Sequence, residues 1–216
     1  MVVSLGDVIP DREVVTTHGK LKLHEYVGDG WLMLFSHPGD FTPVCTTELG
    51  KIAHMHREFE KRGVKLMGLS TDDVKQHEEW AKDVEAFGGS PVKYPIIADP
   101  DRTVGQELNM MDPDLKDDKG HPLASRALHI IGPDKRIRLS FLYPGKVGRN
   151  MDEVLRVIDA LQLAENHRIA TPVNWRPGDP VVISPSVSEE EAKQFPGYMV
   201  KTLPSGKMYM RMTSIS

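Results

Sequence analysis

The sequence predicts an α/β protein, with helices packed on a mixed sheet, because strand-like and helix-like segments alternate along its first three quarters. Two observations carry this prediction. Residues 31–35 (WLMLF) form a continuous apolar run that is typical of a strand buried on both faces. Apolar residues then recur at helical spacing from 45 to 62, and Gly63 stands where a helix is expected to end.

The remaining elements follow from the same two periodicities. The turn sequence 132–135 (GPDK) joins two strands and indicates an antiparallel hairpin. The order predicted from residue 31 is β-α-β-α-β-α-β-β-α. Strands are predicted at 64–70, 94–98, 127–131 and 137–142, and helices at 73–87, 102–110 and 151–164.

A change in composition after residue 164 divides the chain into two predicted domains, 1–164 and 165–216. Four prolines fall within fourteen residues there, too many for a helix or a central strand. Residues 188–191 (SEEE) fit a capping box that opens a short helix to Phe195. Residues 208–212 (MYMRM) alternate as in a strand, so the second domain is predicted as small α+β. Its three methionines would form either a packed apolar face or an adaptable binding surface.

Composition excludes several classes of function. A formal net charge of −4 gives no positive field for a nucleic-acid backbone, so no nucleic-acid partner is expected. We expect no signal peptide and no membrane segment, and therefore a cytoplasmic protein. The single cysteine, Cys45, excludes an internal disulfide and a cysteine-rich zinc site. Neither a nucleotide loop nor a metal cluster is evident, so no cofactor and no metal are expected.

Cys45 is predicted to lie in the first turn of a helix that follows a Pro/Gly-rich loop. The partial positive charge of a helix N-terminus favours a thiolate, whereas a free thiol is only a few per cent ionised at neutral pH. The helix end supplies about 0.3–1 kcal/mol, so a reactive thiol here also needs a cationic neighbour. Thr42, three residues earlier, brings a hydroxyl beside the sulfur. This pattern favours a chemically reactive Cys45 over an inert cysteine of the core.

Residues 35–49 (FSHPGDFTPVCTTEL) resemble the active-site signature of the peroxiredoxins. Their sequence is similar to that of the 1-Cys, peroxiredoxin-6 subfamily. The similarity extends through Arg126, 148–150 (GRN) and 170–175 (ATPVNW) to 203–207 (LPSGK). It implies a thioredoxin-like fold and an antioxidant peroxidase that reduces hydrogen peroxide and organic hydroperoxides. It also implies a C-terminal domain used in dimer contacts and in enclosing the cysteine pocket.

The resemblance assigns three catalytic roles. Cys45 would be the peroxidatic cysteine that becomes a sulfenic acid, Thr42 would hydrogen-bond the peroxide, and Arg126 would hold the thiolate charged. Arg126 suits the missing cation because its guanidinium is always protonated and offers a planar fork of donors. Four supporting residues are implied: Pro38 to shield the site, Glu48 to orient the arginine, His37 beside the cysteine and Arg149 near the pocket.

Subfamily members also show phospholipase or acyltransferase activity, attributed to a Ser/His/Asp set. His24 and Asp134 occupy the matching positions, but Gly30 stands where the serine belongs. Without a hydroxyl there is no acyl nucleophile, so this activity is not expected.

A chain with one cysteine has no resolving thiol, so its sulfenic acid must be reduced by an external molecule. Glutathione, thioredoxin, ascorbate and other thiols remain open, and a homodimer or a higher oligomer is expected. Two other interpretations are a holdase chaperone or peroxide sensor, and a cysteine hydrolase. The hydrolase is disfavoured because no paired His-Asn/Asp signature surrounds Cys45.

Overall fold

A computed structural model describes residues 2–215, which divide into two compact units. The first unit extends to Met151 and the second begins at Asp152. The boundary therefore differs from the predicted one, because the helix at 151–166 belongs with the C-terminal residues. Its Ala160 and Leu163 pack against an apolar cluster that contains Trp175.

The first unit holds the central sheet and its helices. Its strands are β1 Glu13–Thr16, β2 Gly19–Lys22, β3 Trp31–Ser36, β4 Val64–Ser70, β5 Ile96–Ala98, β6 Met111–Lys116, β7 Pro122–Ala124, β8 Arg126–Ile131 and β9 Ile137–Tyr143. Its helices are α1 Leu23–Val27, α2 Pro43–His54, α3 His56–Lys61, α4 Val74–Gly88 and α5 Thr103–Glu107.

The sheet confirms the α/β prediction and its mixed pairing. Its strand order is β2-β1-β5-β4-β3-β8-β9. The neighbours β3, β4 and β5 run parallel, whereas β8 is antiparallel to both β3 and β9. All six residues of β3 are buried, as the continuous apolar run predicts for a central strand covered on both faces.

Two predicted helices differ in their bounds. The helix predicted at 45–62 begins earlier, with Pro43 in its first turn, where a missing N–H costs nothing. It is also interrupted at Met55, which separates α2 from α3. Helix α4 begins with a capping box between Asp73 and Gln76 and ends at Gly88. The C-cap residue Gly89 has a φ of +67°, which suits glycine.

The hairpin β6–β7 is absent from the sequence prediction, and α5 is shorter than the predicted 102–110. The strands of this hairpin contain two prolines and several aspartates. Both residue types are depleted in strands, so the local sequence indicates a loop. Tertiary contacts stabilise it instead: Arg102 donates from Nε to the Pro122 carbonyl at 2.8 Å and from Nη2 to Asp117 at 3.0 Å.

The second unit is small and mixed, as predicted. It contains helix α6, Met151–Asn166, and helix α7, Glu189–Ala192. Its sheet has the order β10-β11-β13-β12. The strands are β10 Ile169–Ala170, β11 Val181–Ile183, β12 Met199–Val200 and β13 Arg211–Thr213. The capping box at Ser188 and Glu191 is present, although α7 ends before the predicted Phe195.

The strand predicted at 208–212 is wrong in its bounds. Strand β13 starts at Arg211, so Met208 and Met210 precede it and the three methionines do not share one strand face. Met208 is 58% exposed, so it gains little from apolar packing within the chain. Within residues 2–215, no helix combines the length and apolar character that crossing a bilayer requires.

Candidate active site

Cys45 lies in the first turn of α2, directly after the loop that leaves β3. Thr42 is the N-cap residue, with extended backbone angles, and Pro43 opens the helix. The preceding Phe41 has a φ of +54°, an uncommon angle for a residue with a side chain. The thiol is fully buried. The sulfur therefore lies close to the N–H groups of a helix start and away from bulk water.

Strand pairing brings Arg126 to this sulfur. Strands β3 and β8 are antiparallel, with Phe35 opposite Leu128, so the start of β8 lies beside the loop that follows β3. The Nη1 atom of Arg126 lies 3.4 Å from the Sγ atom of Cys45. Because the guanidinium is buried, its attraction for a thiolate is screened little by solvent.

Glu48 connects two buried arginines one helical turn beyond the thiol. Its Oε2 atom accepts from Arg126 Nη1 at 2.7 Å and from Arg149 Nη2 at 2.9 Å. Its Oε1 atom accepts from Arg149 Nε at 2.9 Å and from the Arg149 backbone N–H at 2.7 Å. These three side chains, with the thiol, are called the arginine cluster below.

The arginine cluster carries an excess of positive charge. Burial opposes ionisation of Glu48, but Arg149 and then Arg126 outweigh it and hold the pKa of this carboxyl below its usual value. One carboxylate thus faces two guanidiniums, which leaves one positive charge in the cluster for an anion. The sulfur of Cys45 is the group that faces this charge.

The hydroxyl proton of Thr42 is already used in a hydrogen bond. Its Oγ1 atom donates to the Gly39 carbonyl at 2.8 Å, which leaves the oxygen lone pairs free to accept. The Gly145 carbonyl accepts a hydrogen bond from Arg126 Nε at 2.9 Å. Pro38 is buried, and its Cγ atom lies 3.6 Å from the position that a Cβ at Gly145 would take.

His37 belongs to a second buried group, formed with Asp40 and His77 and called the histidine cluster below. The Nε2 atom of His37 lies 2.7 Å from Asp40 Oδ1, and Nδ1 of His77 lies 2.6 Å from Asp40 Oδ2. Burial opposes ionisation of Asp40, but the hydrogen bonds from both imidazoles keep its pKa below the usual value. The His37 ring also lies 5.0 Å from that of Trp80.

Donor atoms of the histidine cluster lie within 4.8 Å of one another, as metal ligands can. Two ligands of one tetrahedral zinc ion stand about 3.3 Å apart. The observed separations of 2.6 and 2.7 Å are those of hydrogen bonds to charged groups. The cluster therefore orients the loop that carries His37.

Asp40 and His77 were not singled out in the sequence. Asp40 stands within the signature, three residues after His37, and that spacing is the only local signal. His77 lies on α4, 37 residues further along, and no pattern in the sequence connects it to the loop.

The residues of the phospholipase set have other partners. The Nε2 atom of His24 lies 2.7 Å from the Ile9 carbonyl oxygen, and Asp134 accepts from Arg138 Nη2 at 3.1 Å. A Cβ at Gly30 would lie 3.3 Å from the Gly63 carbonyl, so a serine there would also crowd the backbone.

The sheet order and the thiol at the start of α2 define a thiol-dependent oxidoreductase of the thioredoxin-like class. The chain matches the AhpC/TSA family over residues 5–140 and the C-terminal domain of 1-Cys peroxiredoxin over residues 160–195. It is 60% identical to a 1-Cys peroxiredoxin of Medicago truncatula and 59% identical to 1-Cys peroxiredoxin A of Oryza sativa subsp. japonica. Each alignment covers 98% of both chains.

Solved structures agree with these relatives. A crystal structure of a cysteine-to-serine mutant of peroxiredoxin 6 from Arenicola marina matches with a TM-score of 0.96 and 51% identity over 98% of each chain. A yeast mitochondrial 1-Cys peroxiredoxin, described for thiol resolving via glutathione/thioredoxin systems, matches with a TM-score of 0.89. It is 43% identical, over 99% of this chain and 100% of the other.

The chain belongs to the 1-Cys peroxiredoxins. This confirms the resemblance read from residues 35–49 and the prediction of a thioredoxin-like peroxidase that works through a single cysteine.

Proposed function

We propose that Cys45 is the peroxidatic cysteine of this peroxiredoxin and that it reduces hydrogen peroxide and organic hydroperoxides. The observation that carries the proposal is the 3.4 Å contact between Cys45 Sγ and Arg126 Nη1, inside a cluster with one excess positive charge. A buried cation both favours the thiolate and stabilises charge that develops beside it.

In the proposed reaction, the thiolate attacks the terminal oxygen of the peroxide. A sulfur–oxygen bond forms as the O–O bond breaks, and the sulfur is oxidised by two electrons to a sulfenic acid. The departing hydroxide or alkoxide takes up a proton, equivalent to the one that the thiol released, and leaves as water or an alcohol. Arg126 stabilises the negative charge on the departing oxygen.

Thr42 and Glu48 have different tasks in this scheme. Because the Thr42 proton is donated to Gly39, its oxygen accepts from the peroxide hydroxyl and orients it. Glu48 contacts no substrate atom in the scheme. It holds the two guanidiniums, and Arg149 in turn is fixed by a bond of 2.8 Å from its Nη1 atom to the Ala127 carbonyl.

The reductant is proposed to be an external thiol, with no bound cofactor. A first thiol forms a mixed disulfide with the sulfenic acid and releases water, and a second thiol frees Cys45. Glutathione and thioredoxin are the leading candidates, since the yeast relative is described with both systems. Ascorbate is the non-thiol alternative.

We further propose a cytoplasmic homodimer. Strand β9 is an edge of the seven-stranded sheet, and Leu142 on it is 61% exposed, which suits pairing with a second copy. A reactive thiol persists in reducing compartments. Sedimentation equilibrium measures the assembly, and imaging of the tagged full chain decides between cytoplasm and the mitochondrial location of the yeast relative.

The central experiment measures peroxide consumption by the wild type and by Cys45→Ser, using NADPH-coupled glutathione and thioredoxin systems and ascorbate in parallel. We expect turnover with at least one reductant and none above background in the variant. Thr47→Ser, which alters an exposed hydroxyl on the same helix, is the matched control. Turnover that survives in Cys45→Ser would contradict the proposal.

A further inference from the structure

The hairpin β6–β7 contains an irregularity that projects one side chain. Asp112 pairs with Leu123 and Lys116 pairs with Pro122, so three residues of β6 have no partner across the ladder. Within this bulge, the Asp112 carboxylate accepts from the backbone N–H of Leu115 at 3.3 Å. Bulges occur beside active sites, where they redirect a side chain.

Leu115 is directed onto Gly145. A Cβ at Gly145 would lie 2.8 Å from Leu115 Cδ2, 3.6 Å from Pro38 Cγ and 3.8 Å from Leu115 Cδ1. Only a residue without a side chain allows Leu115 to approach so closely without a shift. Leu115 and Pro38 therefore both lie close to the position that a Cβ at Gly145 would take, and we call these three residues the apolar rim.

The apolar rim is adjacent to the reacting groups. The Gly145 carbonyl accepts from Arg126, the same guanidinium that contacts the Cys45 sulfur. Pro38 precedes Gly39, whose carbonyl fixes the Thr42 hydroxyl. The rim therefore adjoins the polar groups of the site through the Gly145 carbonyl and through the Pro38–Gly39 peptide.

We propose that Leu115 is a specificity-determining residue that favours alkyl hydroperoxides. This inference depends on the proposed reaction at Cys45. The substituent of an organic hydroperoxide gains apolar contact with Leu115 and Pro38, whereas hydrogen peroxide has no substituent and gains none. Removing the leucine side chain then penalises one substrate class and spares the other.

The test is single-turnover oxidation of Cys45, followed by stopped-flow tryptophan fluorescence with hydrogen peroxide and with cumene hydroperoxide. We expect Leu115→Ala to lower the ratio of the two rate constants, cumene hydroperoxide over hydrogen peroxide, by about fivefold to tenfold. The rate constant with hydrogen peroxide should stay within about twofold. Leu115→Met, which keeps the apolar volume, should retain the wild-type ratio.

Leu123→Ala is the matched control, because Leu123 is a partly buried leucine of the same hairpin that pairs with Asp112. An unchanged ratio in Leu115→Ala, or an equal loss in Leu123→Ala, would overturn the inference. Wild-type protein that reacts with neither peroxide would contradict the proposed function instead, so the two failures are distinguishable. Circular dichroism of each variant identifies any loss of folding.

Discussion

Two buried charged groups flank the same segment of chain, and they are built in opposite ways. In the arginine cluster, Glu48 faces two guanidiniums, and Arg126 still reaches the sulfur of Cys45. In the histidine cluster, each oxygen of Asp40 is paired with one imidazole. The first has charge available for a reacting anion, whereas in the second both carboxylate oxygens are paired one-to-one with imidazole nitrogens. Burial of charge alone therefore does not identify a reactive site, but an unbalanced charge beside a nucleophile does.

The largest expected effect comes from Arg126→Ala. This change removes the cation that contacts the sulfur, so the charge that develops on the departing oxygen loses its stabilising donor. The second-order rate constant with hydrogen peroxide should fall by about 10²–10³. Stopped-flow fluorescence measures it. Arg138→Ala, on the neighbouring strand β9, should stay near the wild type, and a loss of similar size there would mean that general charge is responsible.

Replacing the carboxylate of each cluster with an amide distinguishes the roles of the two clusters. Glu48→Gln leaves two buried guanidiniums without their anion, so we expect about 3 kcal/mol lower stability. Arg126 also loses the carboxylate that holds it beside the sulfur, so we expect about a tenfold slower reaction with peroxide. Asp40→Asn is the matched change in the histidine cluster. It should lower the free energy of unfolding by about 1–3 kcal/mol and change the rate with peroxide by less than threefold. Urea unfolding and stopped-flow oxidation give the two quantities. If Asp40→Asn slows the reaction as much as Glu48→Gln, the histidine cluster participates in catalysis.

The arginine cluster was largely predictable from the sequence, since the signature identifies Cys45 and Glu48 and the resemblance supplies the two arginines. Central strands such as β3 were also predictable, because burial on both faces leaves a continuous apolar run. His77 and Leu115 were not. Each acts through a contact between segments far apart in the chain, and neither lies in a distinctive local pattern.

The hairpin β6–β7 was missed for a related reason. Its prolines and aspartates oppose strand formation locally, and tertiary contacts such as those of Arg102 overcome that preference. The break at Met55 in the first long helix likewise has no marker in the sequence, because the apolar periodicity continues across it.

A third buried carboxyl, Asp99, tests what keeps the other two ionised, and it gives the smallest expected effect. It accepts from the backbone N–H groups of Val104 and Gly105, at 3.1 and 2.7 Å, and has no arginine or histidine partner among the contacts of residues 2–215 described above. Burial outweighs these bonds and, together with the neighbouring carboxyl of Asp101, raises the pKa of Asp99 to about 6. Glu48, which pairs with two arginines, and Asp40, which is hydrogen-bonded to two imidazoles, have lowered pKa values.

The dependence of folding stability on pH has one sign for Glu48 and Asp40 and the opposite sign for Asp99. Lowered pKa values mean that the stability contributed by Glu48 and Asp40 is complete above about pH 4.5 and is lost as the pH falls through their folded-state pKa values. For Asp99 the folded protein binds the proton more tightly than the unfolded chain, so stability falls as the pH rises from about 4 to 6. Between pH 5 and pH 7 this should lower the free energy of unfolding by about 1 kcal/mol.

Asp99→Asn removes that titration. Its absolute stability should be lower, because an amide accepts only one of the two backbone bonds, but the decrease between pH 5 and pH 7 should shrink by about 1 kcal/mol. Urea unfolding at pH 5, 6 and 7 measures the slope, and Asp118→Asn, at an exposed carboxyl, should leave it unchanged. A slope unaltered by Asp99→Asn would show that two backbone N–H groups suffice to keep a buried carboxyl ionised. The arginines around Glu48 would then not be needed to hold the charge of their own carboxylate.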